Sequence, residues 1–282
     1  MEPEIFSFAS HSSLTLSASF YRATDNVKNQ TIIYYHGGGL IWGNRDDLPK
    51  AYIELFLSAG YHLLTVDYPL APEAALPEIY SAAVDAVKWF IHHFDTVLHL
   101  PSNDYHLFGR SAGAYLALLV GSDLNIDKRP TKIISFYGYS SIQESFYLLP
   151  SKHYQQYPSI PKSLVDQLIL PEPIAKGILE RRYAIYLYAR QTGHWLDLVL
   201  PDKKNQHQFS LTEDQLTALP PVFIAQSKTD QDVPFQQGEY LSKAVSSSKF
   251  VVIEQANHDF DSDPTNKEAQ QVYQELIDWL TN

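Results

Sequence analysis

Tyr105-His106-Leu107-Phe108-Gly109-Arg110-Ser111-Ala112-Gly113-Ala114, continuing through Val120, is the stretch that decides the fold. Residues 105–108 are short, apolar-rich and bounded by Pro101 and Asn103, as a buried strand is, while residues 114–120 are apolar and helix-compatible. Between them lies a G-x-S-x-G turn. Small residues on either side of Ser111 allow a strained strand-to-helix turn that lifts the hydroxyl clear of the backbone, and the helix N-terminus places free N–H groups beside it. Such a serine reads as a nucleophile. The bare pattern would arise by chance in roughly one chain in ten of this length, so its partners must come from elsewhere in the sequence.

Outward from this turn, short β-branched or aromatic runs recur at 31–35, 62–66, 132–136, 221–225 and 250–253, the pattern of strands buried on both faces. Helical candidates lie between them at 48–59, 78–94, 111–122, 235–246 and 266–281. This alternation predicts an α/β fold with a mostly parallel, doubly wound sheet. Residues 4–22 alternate instead, with Leu14, Leu16, Ala18 and Phe20 against Thr15, Ser17 and Ser19, which predicts an edge hairpin with one solvated face. From 141 to 219 no strand pattern appears. Two helical stretches are expected there, near 161–170 and 173–191, with Pro173 at a helix start and Gly193 just past an end. The chain therefore divides into a core of residues 1–140 and 220–282 and an inserted cap of residues 141–219 over the carboxyl edge of the sheet. Of the cap tyrosines 147, 154, 157, 183, 186 and 188, most are expected to pack the cap onto the core rather than to line a pocket.

Composition narrows the function classes. The 282 residues are 45% hydrophobic and 19% charged, as in an ordinary soluble domain, and the formal net charge of -11 gives no basic footprint for nucleic acid or an anionic membrane surface. With no cysteine, thiolate metal sites, disulfides and a cysteine nucleophile are excluded. Met1-Glu2-Pro3-Glu4 lacks the basic and apolar regions of an export signal, and nowhere do about 18 apolar residues run together. No membrane insertion and a cytoplasmic location are expected. Association into a homo-oligomer is compatible with this composition.

A serine nucleophile needs a base, and the base an orienting acid. Among 11 histidines, His92, His93 and His99 sit on or after a surface helix, where the spacing with Asp95 reads as a solvated face rather than a metal site. His153, His194 and His207 fall in the insertion. His258 lies in the loop after the last strand, at the edge of the sheet where Ser111 is expected, and is the candidate base. For the acid, the preceding loop offers Asp230 at its apex and Asp232, which is better placed to cap the helix that Pro234 begins; Asp230 is the candidate. Finally, His36-Gly37-Gly38-Gly39 follows directly on the strand ending at Tyr35, and its glycines bring backbone N–H groups close to a ligand oxygen.

The order Ser111, Asp230, His258, the His36-Gly37-Gly38-Gly39 loop and the run Asp67-Tyr68-Pro69-Leu70-Ala71-Pro72-Glu73 together resemble the α/β-hydrolase family. The likeness is greatest to carboxylesterases of the hormone-sensitive-lipase-like, acetyl-esterase group, and extends from about residue 30 to the C-terminus. It implies an α/β-hydrolase fold and hydrolysis of a small-molecule ester with small or medium acyl groups. Ser111 would attack, His258 would take its proton and Asp230 would hold the imidazole. The N–H groups of Gly37, Gly38 and Ala112 would form the oxyanion hole, with no metal or organic cofactor. Three departures stand out: Arg110 where the group commonly has an acidic residue, no Asp-Pro-Leu in the acid loop, and Pro69 in place of an arginine. Two other readings compete. One is an amide hydrolase similar to arylformamidases, which share a glycine-rich loop with a tryptophan nearby, as at Trp42; the other is a non-catalytic ligand-binding homologue.

Overall fold

The apolar runs become the inner strands of an eight-stranded sheet in the computed structural model, which describes residues 2–11 and 13–282. The strands are β1 (Glu4–His11), β2 (Leu14–Tyr21), β3 (Gln30–Tyr35), β4 (His62–Val66), β5 (Asp104–Arg110), β6 (Lys132–Phe136), β7 (Val222–Ser227) and β8 (Ser248–Ile253). They lie in the order β1-β2-β4-β3-β5-β6-β7-β8. β1, β2 and β4 pair antiparallel and all later pairs are parallel. Every residue of β4 and β7 is buried, which is why those runs carry no polar alternation.

The described residues also form ten α-helices: α1 (Lys50–Ser58), α2 (Leu76–His93), α3 (Ala112–Gly121), α4 (Ser145–Leu148), α5 (Lys162–Leu168), α6 (Leu179–Thr192), α7 (Trp195–Val199), α8 (Glu213–Thr217), α9 (Phe235–Ala244) and α10 (Lys267–Thr281). The five helices expected between strands start and end within two residues of their predicted bounds. Two apolar cores cover the two faces of the sheet. One holds α2 and α3 with much of the β6–β7 segment, and the other holds α1 and α10, where Tyr52 stacks on Tyr273 at 3.7 Å. α3 is buried on every side, so a helix without a polar face fits only here.

Two expectations change. The hairpin does not keep one face wholly in water: Ser19 is fully buried because Arg45 Nε donates to its hydroxyl at 2.8 Å and the hydroxyl donates to Asp46. Between β6 and β7 the second helix begins at Leu179 rather than Pro173. Residues before it run extended instead, because Gly177 exchanges both backbone hydrogen bonds with Gly43 (2.8 and 2.9 Å) and the Ile174 carbonyl accepts from Leu70. Gly193 does end that helix, in a left-handed conformation at φ 75°. The short helices α4, α7 and α8 were not expected. No helix of the described residues is long and apolar enough to cross a membrane.

Strand order reverses at β3, which has β4 on one side and β5 on the other, and the carboxyl ends of β3 and β5 deliver His36 and Ser111 to one crevice. The approach there is close. A Cβ on Gly113 would lie 2.1 Å from the Tyr35 carbonyl oxygen and 2.3 Å from that of His36. Gly113→Ala is therefore expected to destabilise the fold by about 3 kcal/mol, measured as a lower urea midpoint; an unchanged midpoint would mean that α3 has room to move away.

Candidate active site

Ser111 is the single residue between β5 and α3, held at φ 54° and ψ -119°, a strained conformation for a residue with a side chain. Its N–H donates to the Phe136 carbonyl on the neighbouring strand at 2.9 Å, and its carbonyl accepts from Tyr115 to start the helix. Both flanking glycines are sterically required: a Cβ on Gly109 would sit 2.1 Å from the Gly113 oxygen. The strain turns the hydroxyl out of the sheet toward the loops that follow β7 and β8.

His258 and Asp230 meet it there. The Ser111 hydroxyl donates to His258 Nε2 at 2.8 Å, and His258 Nδ1 donates to Asp230 Oδ2 at 2.7 Å, the carboxylate fixing which ring nitrogen carries the proton. Asp230 is itself fully engaged. Oδ1 accepts from the backbone N–H groups of Asp232 and Val233 at 2.8 and 3.0 Å, and Oδ2 accepts from Gln226 Nε2 at 2.8 Å. Gln226, buried on β7, was not singled out from the sequence; only its place four residues before Asp230 pointed to it. The His258 ring sits 4.7 Å from that of Tyr137. Burial of the imidazole opposes its charge, yet Asp230, through its charge and hydrogen bond, followed by Asp232 and Asp259, outweighs burial and holds the pKa above the ordinary 6.5.

Asp232 does not cap α9 as expected; that helix has no side-chain cap. Its carboxylate is drawn inward by stronger donors. Tyr186 donates its hydroxyl to the carboxylate at 2.7 Å, and Arg190 Nη1 pairs with Oδ1 at 3.1 Å, while Asp232 Oδ2 stands 3.8 Å from His258 Nε2. Burial works against its charge, but Arg190, then His258 and the hydroxyls of Tyr186 and Tyr154, keep its pKa below the ordinary carboxylate value.

Arg110, the residue out of keeping with the resemblance, is buried under the turn and fully satisfied. Its Nη2 donates to Asp261 at 2.9 Å and its Nε to the Tyr137 hydroxyl at 2.7 Å; Tyr137 and Tyr273 in turn donate to Asp261 at 2.6 and 2.8 Å. A second carboxylate, Asp47, lies 3.7 Å from Nη1 and accepts from Tyr34. Arg110 adjoins Ser111 and Asp261 follows His258 by three residues, so one ion pair ties the Ser111 turn to the histidine loop.

The glycine-rich loop is clamped from beneath and above. His36 stacks on Tyr68 at 4.1 Å, its Nδ1 donates to the Gly37 carbonyl at 2.8 Å, and burial pushes its pKa down to about 4, so the ring is neutral. Tyr68 donates to the His36 carbonyl at 2.7 Å. From the β6–β7 segment, Trp195 Nε1 donates to Gly39 O at 2.8 Å and Arg182 Nε to Ile41 O at 3.0 Å. Arg182 is in turn fixed by Glu73, the last residue of the 67–73 run, at 2.5 and 2.6 Å. Gly38 and Gly39 line a cavity with Ser111, whereas Gly37 borders a neighbouring one with Asp47 and Arg110. The sequence favoured Gly37 with Gly38; the lining of the Ser111 cavity favours Gly39 with Gly38.

That cavity has a volume of about 90 Å³, and Trp42, Tyr154, Tyr183, Tyr186, Asp232, His258 and Asp259 complete its lining. Of the tyrosines read as packing residues, Tyr147 does pack, stacked on Trp195 at 4.0 Å, but 154, 183 and 186 face the site. His92 pairs with Asp127 on the exposed surface of α2 and takes no part in it.

A model of the α/β-hydrolase fold family matches residues 32–262. The solved structure of a protein of unknown function from Staphylococcus aureus subsp. aureus Mu50 superposes with a TM-score of 0.87 at 31% identity, over 99% of this chain and 98% of that one. Ethyl acetate hydrolase of Pseudomonas putida is 26% identical over 176 residues, 56% of this chain and 55% of that protein. Acetyl esterase of Salmonella typhi is 32% identical over 120 residues, 41% of this chain and 36% of that protein. A non-reducing polyketide synthase of Penicillium roqueforti is 27% identical over 179 residues, 59% of this chain but 7% of that protein. The chain thus spans less than two thirds of the length of these curated relatives. With most of its length matched by the family model and nearly all of it by a solved structure, the chain belongs to the α/β-hydrolase fold family, in which it is similar to carboxylesterases.

Proposed function

We propose that this protein is a serine carboxylesterase that cleaves esters of small or medium acyl groups through an acyl-enzyme intermediate. The observation that carries the reading is the hydrogen-bonded line from Ser111 Oγ to His258 Nε2 and from His258 Nδ1 to Asp230 Oδ2. His258 removes the serine proton as Oγ attacks the ester carbonyl, and Asp230 stabilises the imidazolium that forms. The backbone N–H groups of Gly38, Gly39 and Ala112 receive the developing oxyanion. The tetrahedral intermediate then expels the alcohol, which takes its proton from Nε2. Water activated by the same nitrogen hydrolyses the acyl-enzyme. No metal or organic cofactor enters this sequence of steps.

Residues 1–140 and 220–282 form the hydrolase core on this reading, and residues 141–219 form a cap whose tyrosines close the pocket. The small enclosed volume above Ser111 favours short acyl chains. Ester hydrolysis is also the chemistry in the names of the Pseudomonas and Salmonella relatives. The Arg110–Asp261 pair serves the reaction indirectly, by holding the loops of Ser111 and His258 in register.

In a panel of p-nitrophenyl esters from acetate upward, activity is expected to be greatest for the short acyl chains. Ser111→Ala should lower kcat by roughly 10⁵- to 10⁶-fold and abolish labelling by a fluorophosphonate; activity surviving in this variant would sink the mechanism. Because the base must be neutral and its carboxylate neighbours raise its pKa, kcat/KM is expected to climb with pH through a midpoint above 6.5. A profile flat from mildly acidic pH upward would contradict that assignment. Arg110→Met leaves Asp261 buried without its cation and is expected to cost about 3–5 kcal/mol in urea unfolding. Arg110→Lys should recover only part of it, since an ammonium cannot reproduce the fork that reaches Tyr137 and Asp261 together.

A further inference from the structure

The charge on the cavity walls has one sign. Asp232 and Asp259 carry it, and among the described residues no lysine or arginine lines either this cavity or the adjoining one of about 310 Å³, which shares Tyr154, Asp232, His258 and Asp259 with it. Arg110 opens onto a separate cavity beside Gly37, Gly38 and Trp42, and Asp261 and Asp47 already face it. Arg190 is likewise committed to Asp232. Asp259 is different. Its side chain is exposed at the mouth, borders all three cavities, and makes no hydrogen bond or ion pair with another described residue.

The remaining walls are aromatic. Trp42 and Tyr183 meet edge-on at 6.2 Å, and Tyr154 and Tyr186 at 5.9 Å. Arg190 already stands over the rings of Tyr154 and Tyr186, at 5.3 and 5.9 Å, so Trp42 and Tyr183, both half-buried, carry the ring surface open to a bound molecule. Aromatic walls together with carboxylates attract cations. Asp232 Oδ2 lies 3.8 Å from His258 Nε2, the nitrogen that returns a proton to the leaving alcohol, so this carboxylate stands on the alcohol rather than the acyl side, and Asp259 borders the same cavity. An overall charge of -11 favours the approach of cations over long range.

We propose that this site selects esters whose alcohol portion carries a cationic ammonium group over neutral esters of the same shape, and disfavours those bearing a carboxylate there, with Asp259 as the exposed determinant. The inference rests on the serine-esterase reading above. In each turnover Ser111 Oγ takes the acyl group, the leaving group departs with the His258 proton, and water releases the acid; the ammonium group is held but not altered.

Three thioacetates, followed by thiol release, provide the test: acetylthiocholine, its uncharged carbon isostere S-(3,3-dimethylbutyl) thioacetate, and 3-(acetylthio)propanoate. An apolar pocket without charge preference would favour the carbon isostere, which is the more hydrophobic of the first two. The expected order of kcat/KM is cationic, neutral, anionic, with about tenfold between the first two. That ratio should shrink severalfold in about 0.5 M salt. In Asp259→Asn the cationic-to-neutral ratio, read within the one variant, should fall severalfold. Equal turnover of the cationic and neutral esters by the wild type would overturn charge selection and leave the hydrolase reading intact. A ratio unmoved in Asp259→Asn would overturn the role of that residue. Hydrolysis of none of the three would overturn the esterase reading, and this inference with it.

Discussion

Two chain crossings at the ends of adjacent parallel strands are packed so closely that no side chain fits between them. Gly113 at the start of α3 touches the carbonyls that close β3, and Gly109 touches Gly113. The glycine-rich loop and Ser111 are neighbours because β3 and β5 are neighbours, and they can approach only where Cβ atoms are missing. Holding Ser111 at positive φ costs on the order of 1–3 kcal/mol. The burial of α3 on every face offsets that strain, since the helix has no solvated side on which to relax. The strained conformation of Ser111 is thus supported by apolar packing that the serine itself does not touch.

Around this point the chain buries several ionic groups, and tyrosine makes that tolerable. Hydroxyls of Tyr34, Tyr137, Tyr273 and Tyr186 each donate to a buried or half-buried carboxylate: Asp47, Asp261, Asp261 and Asp232 respectively. An isolated carboxylate or guanidinium in such surroundings would be strongly unfavourable. A phenol provides a donor without a second charge, while its ring packs as an apolar group. Four of the 19 tyrosines serve this purpose around the site.

The sheet, the turn at Ser111 and the loops bearing Asp230 and His258 were legible in the sequence because each depends on local pattern: strand periodicity, glycine spacing and loop position. Asp230 could be told from Asp232 by its place at the loop apex. The partner of Arg110 could not be read. Asp259, Asp261 and Asp263 are equivalent by spacing, and only the tertiary fold puts Asp261 against a residue 151 positions away. The sequence placed Gly37 beside Gly38 in the oxyanion hole, and only the cavity around Ser111, lined by Gly38 and Gly39, points to Gly39 instead. Local propensity also failed at Pro173, where pairing of Gly177 with Gly43 overrides a helix start that the proline alone would signal. The cap tyrosines divide between packing and pocket according to which way α6 faces, and α6 has no amphipathic pattern from which to read that direction.

The grip of Trp195 and Arg182 on the carbonyls of Gly39 and Ile41 has a consequence for how such a protein can diverge. The segment that shapes the pocket is the same segment that braces the loop next to the nucleophile, with Glu73 of the core completing the brace. A substitution in α6 that enlarges the pocket also shifts the backbone donors beside Ser111. On the proposed esterase reading, selectivity and turnover are therefore linked variables, and new substrates are reached most readily through residues outside the brace, such as those at the mouth.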